Sequence, residues 1–315
     1  MKAVFAVLLA AAWGVSFAQS YPSRPIRIIV PFQAGSAPDQ IIRIPAQHMQ
    51  ATLGQPIVIE NKPGANGNIG VAEAARAAPD GYTLVSANNT TFAANPSLYR
   101  KLPFEPQKDF APIGRFVTTG LILAVRPDFP AKDLREFIAY AKANNGKLTA
   151  AQASAGMRVS IAMLRSLAGV ELLEVPYKGQ PQALSDLLGG QINITFADYA
   201  VGLSQIRGGK IRGLGVTPAK RAEGAPEIPA IGEVVPGFDL SVWGGMAAPA
   251  GTPKETVDTV WRAAERALAD PGVRKGLTAL SFSIEPMHPQ EFAAYIGSET
   301  LKWAKLVKEA GIEPE

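Results

Sequence analysis

The segment RIIVPFQAGSAPD, residues 27–39, contains the pattern on which the fold prediction depends. Its apolar run at 27–30 predicts a buried strand, a Pro- and Gly-containing turn follows at 31–38, and a helical pattern begins at Asp39. The same alternation recurs along the chain, and residues 130–142 form one amphipathic helix. Further strands are predicted at residues 57–60, 82–86, 121–125, 174–177, 192–196 and 211–216. Strands that alternate with helices of this length predict an α/β fold with mainly parallel sheets.

The composition limits the possible functions. With 315 residues the chain is long enough for about two domains, and a hydrophobic content of 47% suffices for packed cores. The net charge of +4 is spread without a basic stripe, so nucleic acid is not expected as a partner. The chain has no Cys and only two His residues, His48 and His288, which excludes disulfides, thiolate catalysis and His-rich metal sites. We therefore expect no cofactor, no metal and no enzymatic activity.

The first 18 residues have the features of a signal peptide. Lys2 provides a positive start, residues 3–12 are apolar, and Ser16 and Ala18 place small residues before a predicted cut after Ala18. A buried N-terminal helix or a membrane anchor is the alternative, but the apolar run is shorter than the roughly 20 residues of a membrane span. The sequence thus predicts export as a soluble mature protein.

Four strand-to-helix turns rich in small polar residues are candidate anion sites, at residues 32–39, 86–95, 152–160 and 177–181. The N–H groups in the first turn of a helix have no partner within the helix, and the helix dipole adds about half a positive charge there. A carboxylate or a phosphate can therefore bind at such a turn without Lys or Arg.

Each candidate side chain also has a purely structural interpretation. Asp39 can cap its helix instead of contacting a ligand, and the polar side chains between Ser86 and Thr91 can satisfy one another. Arg158 can clamp a second carboxylate or remain solvated. Asp198 can accept a hydrogen bond from a ligand hydroxyl or amine, or from a neighbouring backbone N–H. Spacing alone does not choose between these alternatives.

Seven sequence blocks follow one another in the order found in a known family. They are RPIRIIVPF at 24–32, ENKPGA with GNIG between 60 and 70, APDGYTL at 78–84, NPSLY at 95–99, KDFAPI at 108–113, VPYKG at 175–179 and APAGTP at 248–253. Over nearly the whole mature chain, the sequence resembles the receptor proteins of tripartite tricarboxylate transporters, also called the Bug family of periplasmic binding proteins.

The resemblance implies a type II periplasmic-binding-protein fold, in which a ligand cleft separates two α/β lobes that close on the ligand. Lobe 1 is expected at residues 19–122 and 238–315 and lobe 2 at residues 123–237, after a signal peptide at 1–18. The implied ligand is a small organic carboxylate, such as a di- or tricarboxylate or an aromatic acid. The implied partners are the membrane subunits, one large and one small, of a tripartite transporter in which this chain is a periplasmic receptor. We expect the receptor itself to be a monomer.

Carried over by position, the resemblance places ligand contacts on the turns already named. The block at 61–70 is interpreted as a structural turn and helix start. The implied contacts are Phe32, Ala34, Gly35, Ser36, Asp39, Ser86, Asn88 and Thr90 from lobe 1, and Ser154, Ala155, Gly156, Arg158, Gly179 and Asp198 from lobe 2.

The chain departs from the family's pattern within the predicted site. The usual Gly-Gly-Ser-Ala-Asp of the first turn is Gly-Ser-Ala-Pro-Asp here, at 35–39, and Pro45 is predicted to kink the following helix or end it early. Phe92, Met157 and Arg158 favour a ligand with an apolar or aromatic body and a second polar end.

Two other functions compete with transport. A ligand-loaded sensory co-receptor for a membrane kinase would use the same closed form, so the sequence does not distinguish it from a transport receptor. A serine-dependent hydrolase acting at Ser36 or Ser154 is disfavoured, because neither Ser lies in a Gly-x-Ser-x-Gly elbow and neither His falls in a suitable turn.

Overall fold

The computed structural model describes residues 21–177, 179–222, 225–309 and 311–314. The predicted signal peptide lies outside the described residues, as does Lys178. The described residues form two α/β lobes, each built on one sheet.

The chain enters the first lobe, forms the second, and returns to the first. The first passage comprises β1 (Ile26–Val30), α1 (Ala37–Leu53), β2 (Ile57–Asn61), α2 (Asn68–Ala75), β3 (Thr83–Asn88), α3 (Asn95–Leu98), α4 (Pro106–Asp109) and β4 (Phe110–Thr119). The second lobe comprises β5 (Leu121–Val125), α5 (Leu134–Ala143), β6 (Leu148–Gln152), α6 (Ala155–Ala168), β7 (Leu172–Pro176), α7 (Gln180–Leu188), β8 (Ile194–Asp198), α8 (Tyr199–Arg207) and β9 (Arg212–Val216). The return comprises β10 (Val242–Pro249), α9 (Lys254–Ala269), α10 (Pro271–Ala279), β11 (Ser283–Met287) and α11 (Pro289–Glu309).

The first sheet brings the ends of several strands to one edge. Its six strands lie in the order β11-β4-β10-β3-β1-β2. β1 pairs in parallel with β2 and β3, whereas β10 is antiparallel to both β3 and β4. The carboxyl ends of β1, β3 and β4 therefore meet at one edge, where Thr119 pairs with Val242, the first residue of β10.

The second sheet has a corresponding edge. Its five strands lie in the order β7-β6-β8-β5-β9, with β6 parallel to β7 and β8, and with β5 antiparallel to β8 and β9. The carboxyl ends of β6, β7 and β8 therefore lie beside the start of β5, where Leu121 pairs with Asp198.

The chain crosses between the sheets twice, and the two crossings are hydrogen-bonded to each other. Only Gly120 separates β4 from β5, and Thr217 directly follows β9. The Thr217 N–H donates to the Leu121 carbonyl (2.9 Å), and Thr217 Oγ1 accepts from the Leu121 N–H (3.0 Å). The Thr217 carbonyl accepts from the Leu240 N–H (2.8 Å), just before β10. Because these bonds join the two edges defined above, the edges face one another across a cleft.

Apolar side chains fill both lobes, and one buried cluster extends across them. It runs from Phe92 of the first lobe through Trp303 of α11 to Met157 of α6. Phe92 is fully buried, with its ring centroid 5.0 Å from that of Phe110, and Met157 is 1% exposed. These two side chains therefore belong to the core.

Two expectations differ from the structure. The sheets are mixed and not mainly parallel, because β5 and β10, which follow the two crossings, run against their neighbours. α1 continues through Pro45 to Leu53, so its predicted early end is wrong. Pro45 removes a single N–H donor, while Ile41, Ile42 and Met49 keep one face of the helix buried on either side of it.

Candidate functional site

The predicted contacts lie on the two facing edges. In lobe 1, the turn at 32–39 follows β1, and Asn88 ends β3. In lobe 2, Ser154 precedes α6, Gly179 precedes α7, and Asp198 ends β8. Each edge therefore presents loops at the carboxyl ends of parallel strands, which is the usual place for ligands in α/β sheets.

Asp39 in the first turn is engaged by its own lobe. Its carboxylate accepts from the Gly35 N–H (2.9 Å), from Arg43 Nη2 (2.7 Å) and Nε (2.9 Å), and from Asn61 Nδ2 (2.9 Å). Asn61 also donates to the Phe32 carbonyl (3.0 Å), so the two strands and the turn are joined. Burial acts to raise the pKa of Asp39, but these hydrogen bonds and the Arg43 charge outweigh it and lower the pKa to about 2. Asp39 therefore holds the turn in shape.

The rest of this turn is more open. Ala34 and Gly35 are exposed, and Gly35 adopts a positive φ of 80°. The Ser36 N–H donates to the Gln33 carbonyl (3.2 Å), whereas Ser36 Oγ is buried without a hydrogen-bond partner among the described residues. The Ser36 hydroxyl is thus available to a ligand.

Phe32 fixes the turn against the loop after β3. A Cβ added at Gly67 would lie 2.6 Å from Thr91 Cγ2 and 3.2 Å from Phe32 Cζ, so these side chains close over a bare glycine backbone. Gly67 also has a φ of 90°, a conformation that other residues seldom adopt. Phe32 therefore packs within lobe 1, whatever its role towards a ligand.

The end of β3 carries an unused donor. Asn88 is 4% exposed, and its Oδ1 accepts from the Thr91 N–H (3.1 Å) and from Thr91 Oγ1 (3.3 Å). Its Nδ2 is buried without a partner among the described residues, which is costly unless a ligand or water accepts from it. Ser86 is buried on β3, opposite Met246, and Thr90 is half-buried. Phe92 is buried behind this loop, where it packs against Phe110, so it gives no support to an apolar ligand body.

Arg158 lies in a groove between the lobes. The groove measures about 240 Å³ and is lined by Ser154, Ala155, Arg158 and Tyr177 of lobe 2 together with Tyr99 of lobe 1. Ser154 caps α6 by accepting from the Met157 N–H (3.3 Å). Arg158 is half-buried, and its guanidinium has no hydrogen-bond or ion-pair partner among the described residues. The groove thus presents a free cation beside the start of α6.

Sequence reasoning missed the lobe 1 side of this groove. Asn66 and Tyr99 line it, and Asn66 Nδ2 donates to Tyr99 Oη (2.8 Å). Tyr99 ends the NPSLY block, which carried the family resemblance but was not considered as part of the site. Residues near the chain end, Ile312 and Glu313, also line the groove, and no local pattern links them to residues 95–99.

Asp198 is an acid on the same lobe 2 edge, at the end of the strand next to β6. The Gln180 amide, in the orientation that its neighbours require, donates to Asp198 Oδ2 (2.9 Å) and accepts from the Asp198 N–H (2.7 Å). Asp198 is exposed. Enough protein nevertheless lies around its carboxyl group that desolvation raises its pKa to about 6. Burial likewise raises the pKa of the adjacent Tyr199, whose hydroxyl has no partner among the described residues.

The remaining predicted contacts are less informative. Gly156 is half-buried in the first turn of α6, and Gly179 is half-buried at the start of α7. Met157 is buried in α6, so it too gives no support to an apolar ligand body. The structure brings Ser154, Ala155 and Arg158 into one groove, whereas Asp39 and Ser86 are enclosed within lobe 1.

His48 lies on α1, and His288 directly precedes α11. His48 Nε2 lies 3.7 Å from Asp270 Oδ2, and the His288 ring lies against Trp261. Within the described ranges, no cluster of His, Cys, Asp and Glu side chains is arranged to hold a metal ion. In the same part of the chain, no helix combines the length and apolarity that a bilayer crossing requires.

Residues 41–312 match the model of the tripartite tricarboxylate transporter family receptor. The chain belongs to this receptor family. The receptor is also similar to three solved relatives. The periplasmic binding protein BugD is 36% identical, with a TM-score of 0.79 and coverage of 94% of this chain and 100% of that one. A protein of R. palustris solved with adipate is 30% identical, with a TM-score of 0.84 and the same two coverages. MatC from Rhodopseudomonas palustris, solved with bound malate, is 33% identical, with a TM-score of 0.77 and coverage of 91% and 100%.

These likenesses agree with the geometry of the receptor. Its family consists of periplasmic solute-binding receptors, and its two α/β lobes with a cleft between them are the fold of those relatives. Among the described residues, donors without a partner occur at both facing edges: Asn88 Nδ2 and Ser36 Oγ in lobe 1 and the Arg158 guanidinium in lobe 2. Such donors suit the oxygens of a carboxylate.

Proposed function

We propose that this receptor captures a small organic carboxylate between its lobes and delivers it to the membrane subunits of a tripartite transporter. The ligand is a di- or tricarboxylate or an aromatic acid. The lobes close on it and bury it away from water. The receptor acts as a monomer, without a cofactor and without catalysis.

One observation carries this proposal: unused donors occur on both facing edges of the cleft. Among the described residues, Asn88 Nδ2 is buried without a partner in lobe 1, and the Arg158 guanidinium is unpaired in lobe 2. A buried donor left unpaired costs about 1–3 kcal/mol, which a ligand oxygen recovers when it accepts from that donor. A ligand bridging both donors would thus favour the closed form over the open one.

Two solved relatives support the ligand class. Adipate and malate, the acids present in those structures, are both dicarboxylates. A second carboxylate on the ligand fits Arg158, because a guanidinium binds a carboxylate through two parallel hydrogen bonds.

The lobe boundaries and the site of export belong to the same proposal. We place lobe 1 at residues 19–122 and 238–315 and lobe 2 at 123–237. The crossings at Gly120 and after Thr217 support a division near these positions. Export to the periplasm would follow cleavage near Ala18.

A thermal-shift screen tests ligand capture. The purified mature protein is mixed with mono-, di- and tricarboxylates and with aromatic acids, and the same acids with every carboxyl group methylated serve as uncharged controls. An acid that binds should stabilise the protein by about 2.7 kcal/mol at a hundredfold excess over Kd, whereas its ester should not. If the esters stabilise as well as the acids, or if no acid stabilises, the proposed carboxylate site is contradicted.

Delivery needs a separate experiment. Uptake of the radiolabelled acid is measured in cells with and without the gene for this chain. We expect uptake to depend on the gene. Unchanged uptake alongside a changed transcriptional response would instead favour a sensory co-receptor.

A further inference from the structure

Asp198 is an acidic residue on an edge of the cleft, although the receptor is proposed to bind acids. Asp198 ends β8 and pairs with Leu121, whose backbone is bonded to Thr217 at the crossing between the lobes. Asp198 therefore lies beside the crossing that joins the lobes, and we call this part of the cleft its floor. Its side chain is nevertheless open to solvent.

Asp198 is held in place and is not neutralised. The side-chain amide of Gln180 binds both the Asp198 carboxylate and the Asp198 N–H. An amide restrains a carboxylate but adds no positive charge. Among the described residues, no Lys, Arg or His pairs with Asp198, in contrast to Asp39, which Arg43 neutralises. Asp198 therefore keeps an unused acceptor that faces the cleft.

The cation of this edge lies one strand away. β6, which leads into α6, is the neighbour of β8, with Ala150 paired to Ile194. Arg158 follows Ser154 by one helical turn along α6 and lines the groove towards lobe 1. The edge of lobe 2 is thus polarised, with a free guanidinium on one side and a free carboxylate at the floor.

This polarity restricts what a ligand can place at the floor. A ligand carboxylate next to Asp198 would be repelled, and an alkyl chain there would leave the Asp198 oxygen without a partner. A ligand hydroxyl or ammonium group would donate to that oxygen. A site built to bind a polar group discriminates strongly against an analogue that lacks the group, because the polar side chain of the site is then left without a partner.

We propose, on the basis of the proposed function, that Asp198 selects carboxylates that carry a hydroxyl or ammonium donor on their carbon skeleton. The ligand carboxylate points towards Arg158, and the donor points towards Asp198. The raised pKa of Asp198 fits this assignment, because a donor that satisfies the ionised form would recover the cost of its desolvation.

Matched sets of acids test the proposal by isothermal titration calorimetry at pH 7.5. The sets are succinate, malate and aspartate; adipate and 2-aminoadipate; and phenylacetate, mandelate and phenylglycine. Within a set, the carbon skeleton is constant and only the donor changes. In the set that binds, we expect the hydroxy or amino acid to bind at least tenfold more tightly than the unsubstituted acid.

Two variants and a control locate the preference. Asp198→Asn should reduce the preference to about threefold or less, and Asp198→Ser should do the same if the asparagine variant folds poorly. Asp128→Asn is the matched control, because it removes the same charge from lobe 2 near the other end of β5, where Asp128 pairs with Arg126 on the surface. The control should keep the full preference.

Each outcome has a distinct meaning. Tight binding of the unsubstituted acids, or an unchanged preference in both Asp198 variants, would overturn the role of Asp198 while leaving carboxylate capture intact. Failure of every acid in the wider screen would instead contradict the proposed function itself.

Discussion

Two aspartates, Asp39 and Asp198, occupy comparable places on the facing edges, but the partners and the exposure of their carboxylates differ. Both lie where a strand of a parallel pair gives way to a helix. Asp39 is fully covered and bound by Gly35, Arg43 and Asn61, and its pKa falls to about 2. Asp198 has only an amide as its side-chain partner, remains open to the cleft, and has a pKa raised to about 6.

The two aspartates thus have different roles: Asp39 maintains the structure of its lobe, whereas Asp198 is available to contact a ligand. A carboxylate that is satisfied by its own lobe has no free acceptor left for a ligand, so lobe 1 uses its aspartate to fix the shape of a turn. Lobe 2 leaves both Asp198 and Arg158 without charged partners among the described residues. We therefore expect substitutions in the first turn to change stability, and substitutions at the second edge to change affinity.

Replacing Asp39 with Ala should have the largest effect. The substitution leaves the Gly35 N–H and the Asn61 amide without their acceptor, so we expect the free energy of unfolding to fall by about 3 kcal/mol. Urea denaturation of the ligand-free protein measures this. Lys254→Ala, which breaks an exposed pair with Asp258 on α9, is the control and should cost less than about 0.5 kcal/mol. A loss below about 1 kcal/mol for Asp39→Ala would remove the distinction between the two aspartates.

Replacing Arg158 with Ala should act on binding and not on folding. Loss of a charge-assisted contact is expected to weaken binding of a dicarboxylate by about 2 kcal/mol, or roughly 30-fold in Kd. Calorimetric titration measures the affinity, and urea denaturation should give the wild-type stability within about 0.5 kcal/mol. Arg135→Ala, on the exposed face of α5, is the matched control. Equal affinities of wild type and Arg158→Ala for every dicarboxylate would exclude Arg158 from the site.

Two glycine substitutions, one on each edge, should change the stability of the protein in opposite directions. Gly35 has a φ of 80° with open space around it, so Gly35→Ala should lose about 1 kcal/mol of stability from backbone strain alone. Gly156 lies in α6, and an added Cβ would meet only ordinary contacts, 3.4 Å from Leu121 Cδ1. Gly156→Ala should therefore gain about 0.5 kcal/mol, because Ala favours a helix more than Gly does. Thermal unfolding compares them, and equal signs would contradict the contrast.

The smallest expected effect is in the dependence of stability on pH. Asp39 has a folded pKa of about 2, below the ordinary value of 3.8, so its contribution is present above about pH 4 and is lost as the pH falls towards 2. Asp198 has a folded pKa of about 6, above the same value, so its ionisation destabilises the folded protein as the pH rises from 4 through 6. Asp198→Asn should therefore gain stability relative to wild type as the pH rises from 4 to 7. A constant difference across that range would contradict the raised pKa.

Much of the fold follows from local pattern, but not all of it. The buried apolar runs predicted seven strands, and Leu121–Val125 was predicted with the bounds that the structure has. β4, β6, β10 and β11 were missed. β10 reads VWGGMAAP and β6 reads LTAAQ, and such Gly- and Ala-rich segments lack the β-branched residues that mark a strand. Their pairing partners, which decide their conformation, lie far away in the sequence.

The site was predictable to a lesser extent. The turns themselves were located from their small polar residues, and the order of strands confirms that they share two facing edges. The choice between cap and ligand contact at Asp39 depended on Asn61, 22 residues away, and no spacing rule connects the two. Phe92 and Met157, which suggested an apolar ligand body, are both buried, because apolar residues at the start of a helix face either a cleft or a core.

The hydrogen bonds between the two crossings at Thr217 also bear on how far each part of the cleft would move in the proposed closure. In the proposed closure, the lobes rotate about the line of these hydrogen bonds. Asp198 is paired with Leu121 at this line and would move least, whereas the end of β6 lies one strand beyond β8, roughly 10 Å from β5, and would move farther. A short and a long ligand would both contact Asp198 but would stop closure at different angles between the lobes. The angle would then report the length of the ligand to a docking partner.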